Sequence, residues 1–179
     1  MKNRRSIMTK KMIEDSFYEL LEKNPVEKIS VKSLCDNADI NRSTFYLHYQ
    51  TIEDLVDKIE QTLINKQIEL LGKVNKRTDT RPFIMQTLSM LEKRPKVYLH
   101  LLENGHFVQL YTEKMEHYFE NFVELSHNIK TTYTFEYIVS GSFAISKKWL
   151  ESGCKLSKKN LAELIFSLNY GAAYGNSNK

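Results

Sequence analysis

A chain of 179 residues with a formal charge of +4 can hold one medium domain or two small ones, with enough core to fold unaided. Ordinary apolar content (41%) and charge of both signs (27% of residues) exclude a disordered acidic chain and a histone-like basic one. Two distant cysteines, Cys35 and Cys154, exclude a disulfide scaffold and a C-x-x-C redox or zinc motif.

The N-terminus is basic: Lys2, Arg4, Arg5, Lys10 and Lys11 fall within residues 1–11 with no acid among them. Such an arm suits backbone phosphates, although a solvated terminus has the same composition. Residues 6–11 form no apolar signal-peptide segment, and no apolar run reaches the roughly 18 residues that a membrane span needs, which predicts a cytoplasmic protein. Over residues 9–23, Ile13, Phe17, Leu20 and Leu21 share one helical face. Asn24-Pro25 ends that helix, because the residue before a proline is pushed out of the α region.

Residues 30–54 read as two short helices, a tight turn and the start of a third. Val31, Leu34, Cys35 and Ala38 recur at i, i+3, i+4 and i+7, a buried stripe that Ser30 can cap. Asp39-Ile40-Asn41 supplies the turn, with Asn41 as the expected side-chain cap of a second helix over residues 42–49. Phe45 and Tyr49 face inward there, leaving Arg42, Ser43, Thr44, Tyr46 and His48 directed outward. A helix-turn-helix presents its second helix to the major groove in this way. Arg42 can address a guanine edge, Thr44 a thymine methyl, and Tyr46 and His48 backbone phosphates.

The wording resembles a known family. Ile29-Ser30-Val31, Ala38-Asp39-Ile40-Asn41-Arg42-Ser43-Thr44-Phe45-Tyr46, His48-Tyr49 and Glu53-Asp54-Leu55 are similar to the DNA-binding domain of TetR/AcrR-type transcriptional regulators. The resemblance covers about the first third of the chain, and Phe-Tyr-x-His-Tyr is its most specific part. It implies DNA contacts from Lys10, Lys32, Arg42, Ser43, Thr44, Tyr46 and His48. The family's frequent lysine near the start of the fourth helix is Ile52 here, which hands that phosphate contact to Gln50 and Thr51.

Beyond Tyr49, Thr51-x-x-Asp54 resembles a capping box, and apolar residues from Ile52 to Leu71 carry a long helix to Gly72. A tilt at the far end of such a helix would move the recognition helix in its groove. Further helical stripes follow over residues 81–93, 95–104, 107–126, 131–152 and 157–170. The fold expected is all-α with about nine helices: a three-helix DNA-binding domain at 1–55 and a helical bundle for sensing and dimerisation at 56–179. Tyr98, Phe107, Tyr111, Met115, Tyr118 and Tyr137 either line a small-molecule pocket between helices or form plain core.

The helix at 131–152 is apolar around much of its circumference and so needs cover on more than one side. In the family, the last two helices pair with their copies in a four-helix dimer interface. The resemblance therefore implies that Phe135, Ile138, Gly141, Ser142, Ile145, Trp149, Leu161, Leu164, Ile165 and Leu168 meet a second copy. The ending Trp149-Leu150-Glu151-Ser152-Gly153 is also similar to the C-terminal domain of a Gram-positive subgroup that includes the activator of dihydroxyacetone kinase operons.

Glu103-x-x-His106 and Glu124-x-x-His127 have the spacing of di-metal bundles. Asn104-Gly105 breaks the first pair and His127 falls in a polar link, so no metal, cofactor or catalytic residue is expected. The function expected is that of a sequence-specific DNA-binding regulator, a ligand-responsive repressor acting as a homodimer on a palindromic operator. The alternative is a regulator, activator or co-regulator, controlled by a protein partner.

Overall fold

The computed structural model describes residues 2–74, 79–122 and 129–174, with the side chains of residues 2, 3, 118–122 and 129 left out of account. Among the described residues there are nine α-helices, one 3-10 turn at Val26–Lys28 and no strand. No described helix is long and apolar enough to cross a membrane. The chain divides into two compact units, Met1–Leu63 and Ile64–Lys179. That division falls inside the fourth helix, beyond the boundary at 55/56 expected from the sequence.

In the first unit, α1 (Lys2–Leu21) packs against α2 (Val31–Ala38), which packs against α3 (Arg42–Tyr46). Helix α1 starts seven residues before the apolar stripe at 9–23 suggests, because residues preceding Ile13 add helix without adding burial: Arg4 to Met8 are all exposed. Ile13, Phe17, Leu34, Phe45 and Leu55 form the core, each no more than 3% exposed. Polar residues also cross it. Ser16 donates to the Leu34 carbonyl (3.1 Å), and Asn37 donates to Ser16 (3.0 Å) and to Glu19 (3.1 Å).

Local chemistry sets the turn. Ser30 and Ser33 form a reciprocal capping box at the start of α2. Asp39 ends α2 in the left-handed conformation (φ 51°, ψ 48°), a state that aspartate tolerates better than most side chains. Asn41 is the N-cap of α3, but its side chain makes no capping bond, contrary to expectation. Its carbonyl instead accepts from Thr44 (2.9 Å) and Phe45 (3.3 Å). The second helix is also shorter than predicted. It ends at Tyr46, and a tighter turn follows in which the Phe45 carbonyl accepts from both His48 (2.9 Å) and Tyr49 (3.0 Å).

Helix α4 (Ile52–Gly72) opens with a modified capping box. The Asp54 amide donates to the Thr51 hydroxyl (3.2 Å), while the Asp54 carboxylate reaches past the cap to the Gln50 amide (2.8 Å).

The second unit comprises the rest of α4 with α5 (Arg81–Leu91), α6 (Pro95–Glu103), α7 (Gly105–Phe122), α8 (Ile129–Glu151) and α9 (Lys158–Tyr174). Helix α9 packs against α5 and α8, while α6, α7 and α8 contact one another. Ile84 and Leu88 of α5, Trp149 and Leu150 of α8, and Leu161 and Ile165 of α9 share one apolar cluster. Its edge is fixed by Lys158–Glu92 (2.8 Å) and by Arg81, which stacks 4.6 Å from the Phe166 ring centre. A Schellman motif ends α8: Gly153 donates to Leu150 and Cys154 to Trp149, both at 2.9 Å, with Gly153 at φ 73°. The turn also holds the indole, whose Nε1 donates to the Leu156 carbonyl (2.8 Å).

Glu103 closes α6 whereas His106 lies in the first turn of α7, so the Glu-x-x-His spacing does not share one helix. The Glu103 carboxylate pairs with Lys147 (2.9 Å). Glu124 and His127 lie outside the described residues.

Candidate nucleic-acid interface

The outward side of α3 is built from the inside. Phe45 is fully buried and Tyr49 nearly so, with ring centres 5.8 Å apart. Tyr46 stacks edge-on against Phe45 at 5.5 Å. The Tyr49 hydroxyl donates to Glu14 of α1 (3.0 Å), and burial, followed by the adjacent Glu14 carboxylate, pushes that phenol well above its ordinary range. With these rings fixed, Arg42 and Ser43 are exposed, Tyr46 is 57% exposed, and Thr44 and His48 are half-buried. The five positions lie on α3 and the turn that follows it, the second helix of the helix-turn-helix.

Lys10 and Lys32 are exposed on α1 and α2. Lys10 acts on the turn after α3: the His48 imidazole sits below its ordinary pKa, first through desolvation and then through the Lys10 charge. Gln50 and Thr51 are exposed but locally engaged. The Gln50 amide is taken by Asp54, while the Thr51 hydroxyl caps α4 and, through a further hydrogen bond, holds the Glu53 carboxyl below its ordinary range.

One residue of this site carried no role in the sequence reading. Lys58 of α4 bonds Asp54 (2.9 Å) and the His48 carbonyl (3.3 Å), and its ammonium lies 5.1 Å from the Tyr49 ring centre. Three contacts from one side chain tie the turn after α3 to α4. The i, i+4 spacing of Asp54 and Lys58 was the available signal.

In the second unit, Phe107, Tyr111 and Met115 follow one another at single-turn intervals on α7, all buried. Tyr111 and Phe107 lie 6.1 Å apart, and Phe143 of α8, not anticipated from the sequence, lies 4.8 Å from Tyr111. Tyr98 is half-buried and its phenol is pushed up to about 12 by desolvation. The Tyr118 side chain lies outside those described. Tyr137, expected beside them, is 62% exposed instead. Phe135 and Val139 set the inward phase of α8, and a residue midway between them on a helix points the other way.

Helices α8 and α9 divide their apolar residues between two sides. Phe135, Trp149, Leu161 and Ile165 are no more than 4% exposed inside the chain's own core, and Ile138 and Ile145 are half-buried. Ser142 bonds Asn169 across the two helices (3.2 Å). A side chain at Gly141 would meet nothing within 4 Å, so close approach inside the chain does not require that glycine. Leu164 and Leu168, each 44% exposed, project outward together with Tyr133 at 69%.

Residues 78–171, just over half of the chain, match the TetR-type family described as "Transcriptional regulator C-terminal region". The chain is similar to the HTH-type dhaKLM operon transcriptional activator DhaS of Lactococcus lactis subsp. lactis (strain IL1403), at 34% identity over 73 residues. That match spans 38% of this chain and only 39% of the relative's length. Among solved structures, the dihydroxyacetone kinase operon activator DhaS shares the fold at a TM-score of 0.67 and 22% identity, covering 91% of this chain and 94% of that one. A TetR transcriptional regulator from Streptococcus agalactiae 2603V does so at 0.69 and 23%, covering 94% and 97%. The fatty acid degradation regulator FadR from Bacillus halodurans superposes at 0.71 and 13%, covering 91% and 95%.

Proposed function

Because the chain belongs to the TetR family of transcriptional regulators, we propose that it binds a palindromic operator as a homodimer and represses transcription until a small molecule releases it. One observation carries this reading: Arg42, Ser43 and Tyr46 stand exposed on a short helix whose inner side is locked by Phe45 and Tyr49. Two such helices, one DNA turn apart or a multiple of it, would read the two halves of an operator. Lys10, Lys32, Tyr46, His48 and the Gln50 side chain take the phosphates, while Arg42, Ser43 and Thr44 take the base edges.

The outward face of α8 and α9 supports dimerisation, since Tyr133, Tyr137, Leu164 and Leu168 are large and exposed in the single chain. A second copy covers them in this proposal, next to Ile138, Gly141, Ser142 and Ile145. The effector occupies the region of Tyr98, Phe107, Tyr111, Met115 and Phe143, where aromatic walls suit an apolar or ring-bearing molecule. Its influence on DNA binding cannot exceed its differential affinity for the two conformations of the dimer. The protein acts in the cytoplasm, where its operator lies.

A second reading draws on the curated relative, which is named as an activator. In it the chain activates transcription and answers to a protein partner rather than a small molecule. Selecting binding sites from a random duplex library tests the part common to both. A palindromic consensus with half-sites at one-turn spacing is expected. An unchanged random pool after selection overturns both readings. Co-crystallisation or calorimetry with candidate effectors then separates them.

A further inference from the structure

Leu47 is 81% exposed, more than any other large apolar residue among those described. A single exposed leucine is ordinary on a protein surface. This one is unusual in its place. It follows directly on α3, and its amide donates to the Ser43 carbonyl at 3.2 Å, which places it one helical turn beyond Ser43. Its backbone is α-helical (φ −71°, ψ −17°), and the next two amides both return to Phe45. The side chain cannot fold inward, because Phe45 at 0% and Tyr49 at 2% exposure already fill the interior at that end of the helix. Leu47 is thus held outward beside Ser43 and Tyr46, on the surface that the proposed function turns toward DNA.

The chemistry of that surface narrows what Leu47 can do. A leucine can neither donate nor accept a hydrogen bond, so phosphates and the polar atoms of base edges offer it nothing. The major groove displays one apolar group, the 5-methyl of thymine. We propose that Leu47 is a specificity-determining residue that packs on a thymine methyl one turn along from the base addressed at Ser43. This rests on the DNA-binding reading above and goes beyond it by assigning a base to a residue with no hydrogen-bonding capacity.

The test uses the full-length protein and an operator duplex obtained from the random library. Each thymine is replaced in turn by deoxyuridine, which removes only the methyl and keeps the base pair. At one thymine in each half-site the wild-type protein should lose about fourfold in affinity, the fold-change expected for one buried methyl. Leu47→Ala should bind that duplex and its thymine parent equally, while keeping its preference at every other position. Leu47→Met should retain the sensitivity. The proposal is overturned if no thymine is sensitive, or if Leu47→Ala keeps the wild-type response to deoxyuridine at each position. A library that yields no consensus at all instead overturns the DNA-binding reading itself, so the two failures are distinguishable.

Discussion

The ammonium of Lys58 lies 3.3 Å from the carbonyl oxygen of His48, so α4 holds the turn that follows α3 by its backbone. The same ammonium pairs with Asp54, whose carboxylate takes the Gln50 amide and is held below its ordinary range first by that bond and then by Lys58. Lys58 and Asp54 together therefore tie residues 48–50 to α4.

Replacing Lys58 with Met should weaken DNA binding more than it weakens the fold. The lysine is 47% exposed at its side chain, so its ion pair contributes no more than about 0.5 kcal/mol to stability. Loss of the carbonyl and ring contacts loosens residues 48–50, and affinity should fall by roughly tenfold on the preferred operator. Lys58→Arg should recover most of it. Urea unfolding and fluorescence anisotropy on the same preparations give both quantities. An equal loss in each would make Lys58 a plain stability residue.

Arg42→Ala should cost about 1–3 kcal/mol of binding and relax preference at a single operator position. Anisotropy with a panel of single-base operator variants measures it. Uniform weakening across the panel would reassign Arg42 to a phosphate.

His48 gives a pH dependence of known sign. Its folded pKa lies below the ordinary 6.5, through desolvation and then the Lys10 charge. The folded state therefore binds fewer protons than the unfolded one, and the imidazole's contribution is complete above about pH 6.5 and lost as pH falls through the lower folded value. Denaturation midpoints at pH 7.5 and 5.5 should differ more for the wild type than for His48→Gln. Equal differences would mean that His48 titrates normally.

Leu164 tests the proposed dimer without disturbing the monomer core. It is 44% exposed, whereas its neighbours Leu161 and Ile165 are buried. Leu164→Glu places a carboxylate in the proposed contact, and sedimentation should shift from two protomers to one with secondary structure unchanged. A dimer that survives the change would place the interface elsewhere.

Much of this architecture was legible in the sequence because period and punctuation agreed. The α2 stripe (with Leu34, Cys35 and Ala38 buried and Val31 only partly so), the Ser30 cap and the Gly153 stop became the elements expected. The misses share a cause: they depend on three-dimensional phase or on competition for one group. Asn41 had the chemistry of a cap, but its carbonyl rather than its side chain meets the α3 amides. Tyr137 sits on a helix with apolar groups around much of its circumference, where spacing alone could not separate its inner from its outer side. Phe143 joins Tyr111 only through the packing of α7 on α8. The contacts of Lys58 depend on how α4 lies against the turn at His48, which the sequence does not show.

The most direct test of the account is a fluorescence anisotropy titration of the full-length protein on DNA flanking its own gene, across a series of salt concentrations. The account predicts tight, sequence-preferring binding by two protomers per site, with log K falling linearly against log salt by about 0.9 for each phosphate contacted. Weak binding that is equal on flanking and unrelated DNA would contradict it.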